Sequence, residues 1–324
     1  MHALGSSPDC GDTKGYTKLE HVQAAAGRYA TLEMSRFDGG SRLSARRGRP
    51  QFAAPLAPAW EVAASSDEGS GWSTELHWDD VVDVICAGSG PGVLAHAISC
   101  ADLDRRVLLA DAMSTAEVSD ADTAAYLDSM TEDVGPLIGF PLDLELPVTR
   151  AQPVPARTDR RARIEPFVGS RLRGWAAQCV ASPFGVLYSD VPDAGTTAMR
   201  TDAGETIQAA VIGEYRPDVD RPGPALIDWL HEEADERAIS RNAGSALQRL
   251  IFEHGRVAGA ALTTPSGTRL VRATAGVALS MASAPPGARW PSQPGLRDTP
   301  VQVGIVGRKA GRFGRVELLA LPES

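Results

Sequence analysis

Hydrophobic and polar positions along this 324-residue chain change character at Val81. Before it, Ala, Gly, Ser, Pro and scattered charges follow one another without a sustained period of two or 3.6, as in "RFDGGSRLSARRGRPQFAAPLAPAWEVAASSDEGSGW". Residues 1–78 therefore read as a flexible extension. One stretch inside it, "YTKLEHVQAAAGRYATLEM", repeats Leu19, Val22, Ala26 and Tyr29 at helical spacing and predicts a short helix.

From Val81 the pattern sharpens. "VVDVICA" is an apolar strand interrupted by one acid; a glycine-rich turn, a helix and a second strand ending at Asp111 follow. Ala124, Leu127 and Met130 behind the cap residues Ser119 and Asp120 predict a further helix. Residues 135–222 are rich in Pro and Gly with short apolar runs such as "FGVLYSDV", which predicts a loop-rich, largely β segment whose strand order the pattern leaves open.

"PALIDWLHEEADERA" places a proline in the first turn of a helix with Leu226, Leu230 and Ala234 on one face and acids on the other. Three strands alternate around "HG" and "PSG" turns as a β-meander and end in the buried strand "GVALSMA". "TPVQVGIVGRKAGRFGRVELLAL" predicts a hairpin across a basic, glycine-rich loop. The expected fold class is α/β: a Rossmann-like dinucleotide-binding domain formed by residues 79–134 and 223–284, with the β-meander in its second part. A smaller, loop-rich α+β segment is inserted at 135–222, and a hairpin segment closes the chain at 285–324.

Composition narrows the function classes. At 43% hydrophobic residues the chain can fill a core, and a net charge of −9 argues against a nucleic-acid surface, which needs clustered Lys and Arg. Cys10, Cys86, Cys100 and Cys179 show neither CxxC pairing nor zinc-type histidine spacing, so free thiols and no metal are expected. The N-terminus carries no apolar leader and no run approaches the ~18 apolar residues of a membrane span. The expectation is a soluble, cytoplasmic protein.

The chemistry lies in "DVVDVICAGSGPGVLAHAISCADLDRRVLLADA". Gly88 permits the tight turn after the strand, and Gly90 lets backbone approach a pyrophosphate. The first helical turn offers amides and a positive dipole end. Asp111, at the end of the second strand, supplies a carboxylate for ribose hydroxyls. The candidate cofactor site is thus Gly88, Ser89, Gly90, Pro91, Gly92, Val93 and Asp111. The third glycine position of GxGxxG holds Val93, with Gly92 displaced by one; a β-branched residue there predicts a helix pushed from its strand or rotated.

These segments resemble the flavoprotein family of fumarate reductase, succinate dehydrogenase and, closest, 3-ketosteroid Δ1-dehydrogenase. The glycine turn with its acid, "ADTAAYLDSMTEDVGPL", "RIEPFVGSRLRGWAAQ" and the helix-plus-meander block from Pro224 to Ser283 carry the likeness. The resemblance implies FAD, with pyrophosphate on residues 88–93, ribose on Asp111 and adenine near the backbone of Ala246 and Leu247. It implies hydride transfer from a hydrophobic, steroid-like ketone to the flavin. The chain departs from the family in lacking a second Gly/Ser-rich loop after Asp111, in ending the return strand with Ser280, Met281, Ala282 and Ser283, and in its C-terminal segment.

Two functions stand side by side: an FAD-dependent oxidoreductase with a small hydrophobic substrate, and a flavin-free homologue acting as structural or regulatory subunit for a protein partner. For proton transfer the candidates are Tyr188 and Tyr126, each of which also reads as an ordinary half-buried tyrosine. His96, His231 and His254 read as core or surface residues. Arg308, Lys309, Arg312 and Arg315 read as a solvated hairpin tip, or as a docking site for an acidic partner or the cofactor phosphates.

Overall fold

The computed structural model of the chain describes residues 76–112, 120–132, 134, 143–154, 169–192, 195–216, 218–280, 287–291 and 300–320. The helix expected around Leu19 to Tyr29, and Cys10, lie outside the described residues. Everything described belongs to one unit, residues 72–324.

The first strand, β1 (Asp80–Ala87), is buried on both faces along its second half. Its Val84 and Cys86 enter one core, and Val82, Ile85 and Ala87 enter the other. A continuous apolar run is what a strand sandwiched between two layers requires. The single acid that interrupts it, Asp83, accepts from the Arg106 backbone N–H and the Thr274 hydroxyl, each at 2.8 Å, and so ties β1 to the segments on either side. Those bonds, the Arg106 amide first, hold its carboxyl below the usual range.

After β1 come helix α1 (Pro91–Ala101) and strand β2 (Val107–Ala112), parallel to β1 with Ala87 opposite Ala110. Helix α2 (Ala121–Thr131) follows. Its cap is Asp120, whose carboxylate accepts from both the backbone N–H and the hydroxyl of Thr123. The middle segment supplies β3 (Val148–Pro153), α3 (Gly169–Val180), β4 (Gly185–Tyr188), β5 (Thr197–Thr201) and β6 (Thr206–Tyr215). The second half continues with α4 (Pro222–Glu236), β7 (Ser240–Glu253), β8 (Arg256–Thr264) and β9 (Gly267–Ser280), then β10 (Val301–Gly307) and β11 (Phe313–Ala320).

One eleven-stranded sheet holds all of these. Two 14-residue strands organise its first half. The start of β7 runs parallel to β2, while its remainder pairs with β8 in the meander; β9 begins in the meander and ends parallel to β1. The pairing thus returns to β1 through β2, β7, β8 and β9. The meander and return strand expected from alternation are present, but each long strand serves two layers.

The second half joins the first through β4, four buried residues paired antiparallel with β9 on one edge and β11 on the other. The C-terminal hairpin β10–β11 stands at the centre of this half, flanked by β6, β4 and β3. Strands β10 and β11 therefore share a sheet with the strands of the inserted segment. Helices α1 and α4 cover one face of the sheet, while α2 and α3 pack on the other. Trp78, at the end of the predicted extension, already packs on the meander, with the Arg272 guanidinium 5.5 Å above its ring. No helix among the described residues is long and apolar enough to cross a membrane.

Candidate functional site

The parallel stretches of β1, β2, β7 and β9 all end at one edge of the layer. Ala87 pairs with Ala110 and Leu279, and Ala110 pairs with Asn242. The turn after β1 is tied down there: the Gly88 N–H donates to the Ala110 carbonyl at 3.0 Å. Gly88 has φ 118°, a backbone conformation that only glycine adopts without strain. Asp111 follows in β2. Opposite it β7 bulges, because Ala110 pairs with Asn242 and Ala112 with Ala246. At Ala246 the strand leaves the parallel layer for the meander, and the Leu247 side chain points into the core, so the backbone is what these two offer a ligand.

Helix α1 has Gly90 at its N-cap and Pro91 in its first turn, with no side-chain cap and no acid in that turn. Proline brings no N–H, and the amides of Gly92 and Val93 precede the first intrahelical bond, Leu94 N–H to the Gly90 carbonyl. An uncapped, acid-free helix start after a left-handed glycine offers donors and a positive dipole to an anion. A further donor was not legible in the sequence: the Asn242 side-chain Nδ2 is buried with no hydrogen-bond partner among the described residues. An orphaned amide on the strand paired with β2, one position from Asp111, fits a nucleotide. On both counts this edge fits the ADP half of FAD.

The displaced glycine acquires a role one position early. A Cβ on Gly92 would stand 2.6 Å from the Gly185 carbonyl oxygen, so the close backbone approach of α1 is to β4. Val93 is fully buried in the core shared by α1 and α4. The helix is accommodated by choosing a different close neighbour.

The two tyrosines sit elsewhere, on opposite faces of the sheet. Tyr126 of α2 donates to the Ser189 carbonyl and accepts from Arg312, both at 3.3 Å, beside the Phe252 ring. Tyr188 of β4 is buried with its ring 4.6 Å from His96 of α1. Burial raises both phenols above their ordinary range, so both keep their protons at neutral pH.

His96 also lies 3.5 Å through Nε2 from the Cys100 sulfur, one helical turn on. Burial pushes His96 down to about 4 and the Cys100 thiol up to about 11. They form a neutral pair, unlike an activated thiolate and imidazolium. Of the predicted basic tip, Arg308 pairs with Glu205 at 2.6 Å and Arg315 with the buried Glu317 at 2.6 Å, and both guanidinium groups stack 5.1 Å from the Trp175 ring. Cys86, Cys100 and Cys179 are free and buried, and no group of acids, histidines and cysteines that could hold a metal occurs among the described residues.

No protein-family model matches this sequence, and no curated protein is similar to it. Solved structures do match over part of the chain. A 3-ketosteroid-Δ4-(5α)-dehydrogenase from Rhodococcus jostii is 19% identical over 64% of this chain and 47% of its own, with a TM-score of 0.28. A geranylgeranyl bacteriochlorophyll reductase-like protein from Thermoplasma acidophilum is 15% identical over 60% and 38%, with a TM-score of 0.24. A myxobacterial chondrochloren halogenase, FAD-dependent, is 13% identical over 73% and 52%, with a TM-score of 0.26. The matches span between 38% and 52% of those proteins' own lengths.

Proposed function

We propose that this chain binds FAD at the carboxyl edge of its parallel layer and belongs among flavin-dependent oxidoreductases. The observation that supports it is the coincidence of three features at one edge: Gly88 in a left-handed turn, the uncapped start of α1, and the orphaned Asn242 amide beside Asp111. Gly88 to Val93 would hold the pyrophosphate, and Asp111, Asn242 and the backbone of Ala246 and Leu247 the adenosine. Flavin, when bound, accepts a hydride. The sequence resemblance supports a hydrophobic, steroid-like ketone as the donor. Tyr126 and Tyr188, both protonated at neutral pH, are the proton-transfer candidates.

Visible absorption of the purified protein, followed by titration with FAD and with ADP, tests this. ADP isolates the glycine turn and Asn242 from any flavin contact. Binding of both that Gly90→Ala weakens supports the reading; a folded chain indifferent to both overturns it.

One observation favours the flavin-free alternative. The carbonyls of Phe184 and Gly185 lie against the first turn of α1, so protein already covers one flank of the helix start. On that reading the layer is a scaffold for a protein partner, and the chain stays colourless in the same titration.

A further inference from the structure

A cavity of about 750 Å³ opens between the two halves of the sheet, walled by the later turns of α1, the end of β4, the middle of the β1-paired part of β9, β6 and the β10–β11 tip. It lies away from the glycine turn. Its α1 residues run from His96 to Cys100, its β9 residues Gly276 and Val277 pair with Val84 and Ile85 of β1, and among the described residues none of Gly88 to Val93 or Asn242 lines it. Along α1 the cavity begins at His96, about 8 Å beyond the helix start at Pro91.

The chemistry of the wall is graded. Its inner surface carries Val84, Ile305 and Phe313 together with Tyr188, His96 and Cys100. With the imidazole neutral and the phenol and thiol protonated, that surface is apolar with uncharged hydrogen-bonding groups. The remaining wall carries Arg105, Arg256, Arg308 and Lys309 against one acid, Asp190. Asp190 answers Arg256 at 3.1 Å and Glu205 answers Arg308 at 2.6 Å. Exposed Lys309 has no ion-pair partner among the described residues. In a chain of net charge −9, a concave surface of this sign concentrates anions.

We propose that this cavity is a second binding site, separate from the dinucleotide edge, for a small amphipathic carboxylate whose acid group meets Lys309 and whose apolar, hydroxyl- or carbonyl-bearing body reaches Tyr188 and His96. The volume is in the range of cavities that enclose such molecules. An exposed lysine beside two arginines that already hold carboxylates suits one carboxylate better than a polyphosphate, because those two guanidinium groups are not free for further anionic charge.

The probe is hydroxynaphthoate, followed by its own fluorescence, with naphthol as the analogue lacking the acid. The wild-type chain is expected to bind hydroxynaphthoate with a Kd below about 1 mM. Naphthol should bind at least about tenfold more weakly, and Lys309→Glu, on an exposed tip, should weaken hydroxynaphthoate at least about fivefold. Thr196→Trp at the exposed mouth should block it. Saturating FAD should leave the probe bound. A folded protein that shows no binding at about 5 mM probe, binds naphthol equally well, or releases the probe to FAD overturns the proposal; the naphthol comparison needs no variant.

Discussion

Gly92 and Gly185 meet backbone to backbone. A methyl group on Gly92 would fall 2.6 Å from the Gly185 carbonyl oxygen and 2.9 Å from that of Phe184. Neither oxygen belongs to a flexible side chain, and Phe184 O already accepts the Val316 N–H at 3.0 Å. The seat of α1 on the bridging strand β4 depends on this glycine.

Gly92→Ala is therefore expected to destabilise the fold by about 1–3 kcal/mol, as overpacking against an unyielding neighbour does. Val93→Gly acts in the opposite sense yet also destabilises, by about 2–4 kcal/mol, since it empties a fully buried position and places a second glycine in the helix. Urea unfolding of the two variants checks both.

Asn242 separates binding from folding. Its buried Nδ2 has no partner, so Asn242→Ala should change stability by no more than about 1 kcal/mol, because no hydrogen bond of that donor is lost. The same change should weaken ADP and FAD about tenfold, read by calorimetric titration. Equal affinity for ADP in the variant would remove Asn242 from the site.

Thr123 joins α2 to β7. Fully buried, its hydroxyl accepts the Leu250 N–H at 2.9 Å and donates to Asp120 at 2.7 Å. Thr123→Val keeps the shape and orphans a buried backbone donor, which costs about 1–3 kcal/mol. Hydrogen exchange at Leu250 should accelerate by the corresponding factor.

His96 gives the fold a pH dependence. Burial depresses it from 6.5 to about 4, so below pH 6.5 the unfolded chain binds a proton that the folded chain refuses. Stability should therefore fall as pH drops, by about 2 kcal/mol between pH 7 and pH 5. His96→Gln should flatten that window while leaving the steeper carboxylate titration at lower pH, measured by urea unfolding across the range.

Glu317, 1% exposed, accepts both the Nε (2.9 Å) and Nη2 (2.6 Å) hydrogens of Arg315 on one oxygen, and the Thr149 hydroxyl on the other. Arg315→Met leaves a buried carboxylate without its cation and should cost about 3–5 kcal/mol. Adding Glu317→Leu should recover most of that loss. Thermal unfolding of the single and double variants shows whether the pair holds β11 to β3 or merely tolerates burial.

Short-range patterning accounts for what was legible in advance. A strand, a left-handed glycine, an uncapped helix start and a second strand occupy one continuous stretch, and each is set by residues a few positions apart. The same holds for the amphipathic face Leu226, Leu230 and Ala234 of α4, all fully buried, and for the alternation of β8 and β9. The helix of residues 169–180 escaped because its apolar face, Trp175, Ala176, Cys179 and Val180, fills only its second half, behind a polar and basic start.

Tertiary structure decided the rest. That β4 joins β9 to β11, and that the last hairpin lies between strands from the middle of the chain, follows from pairings such as Leu187 with Leu279 and Leu187 with Phe313, far apart in sequence, which local periodicity does not encode. The orphaned Asn242 amide, the neutral His96 and the cavity beneath Tyr188 arise where such distant strands meet. Local sequence determined that the strand, glycine turn, helix and second strand form and that the turn leaves amides free; packing between distant segments determined which backbone α1 rests on, which polar groups lose water, and where a cavity is left.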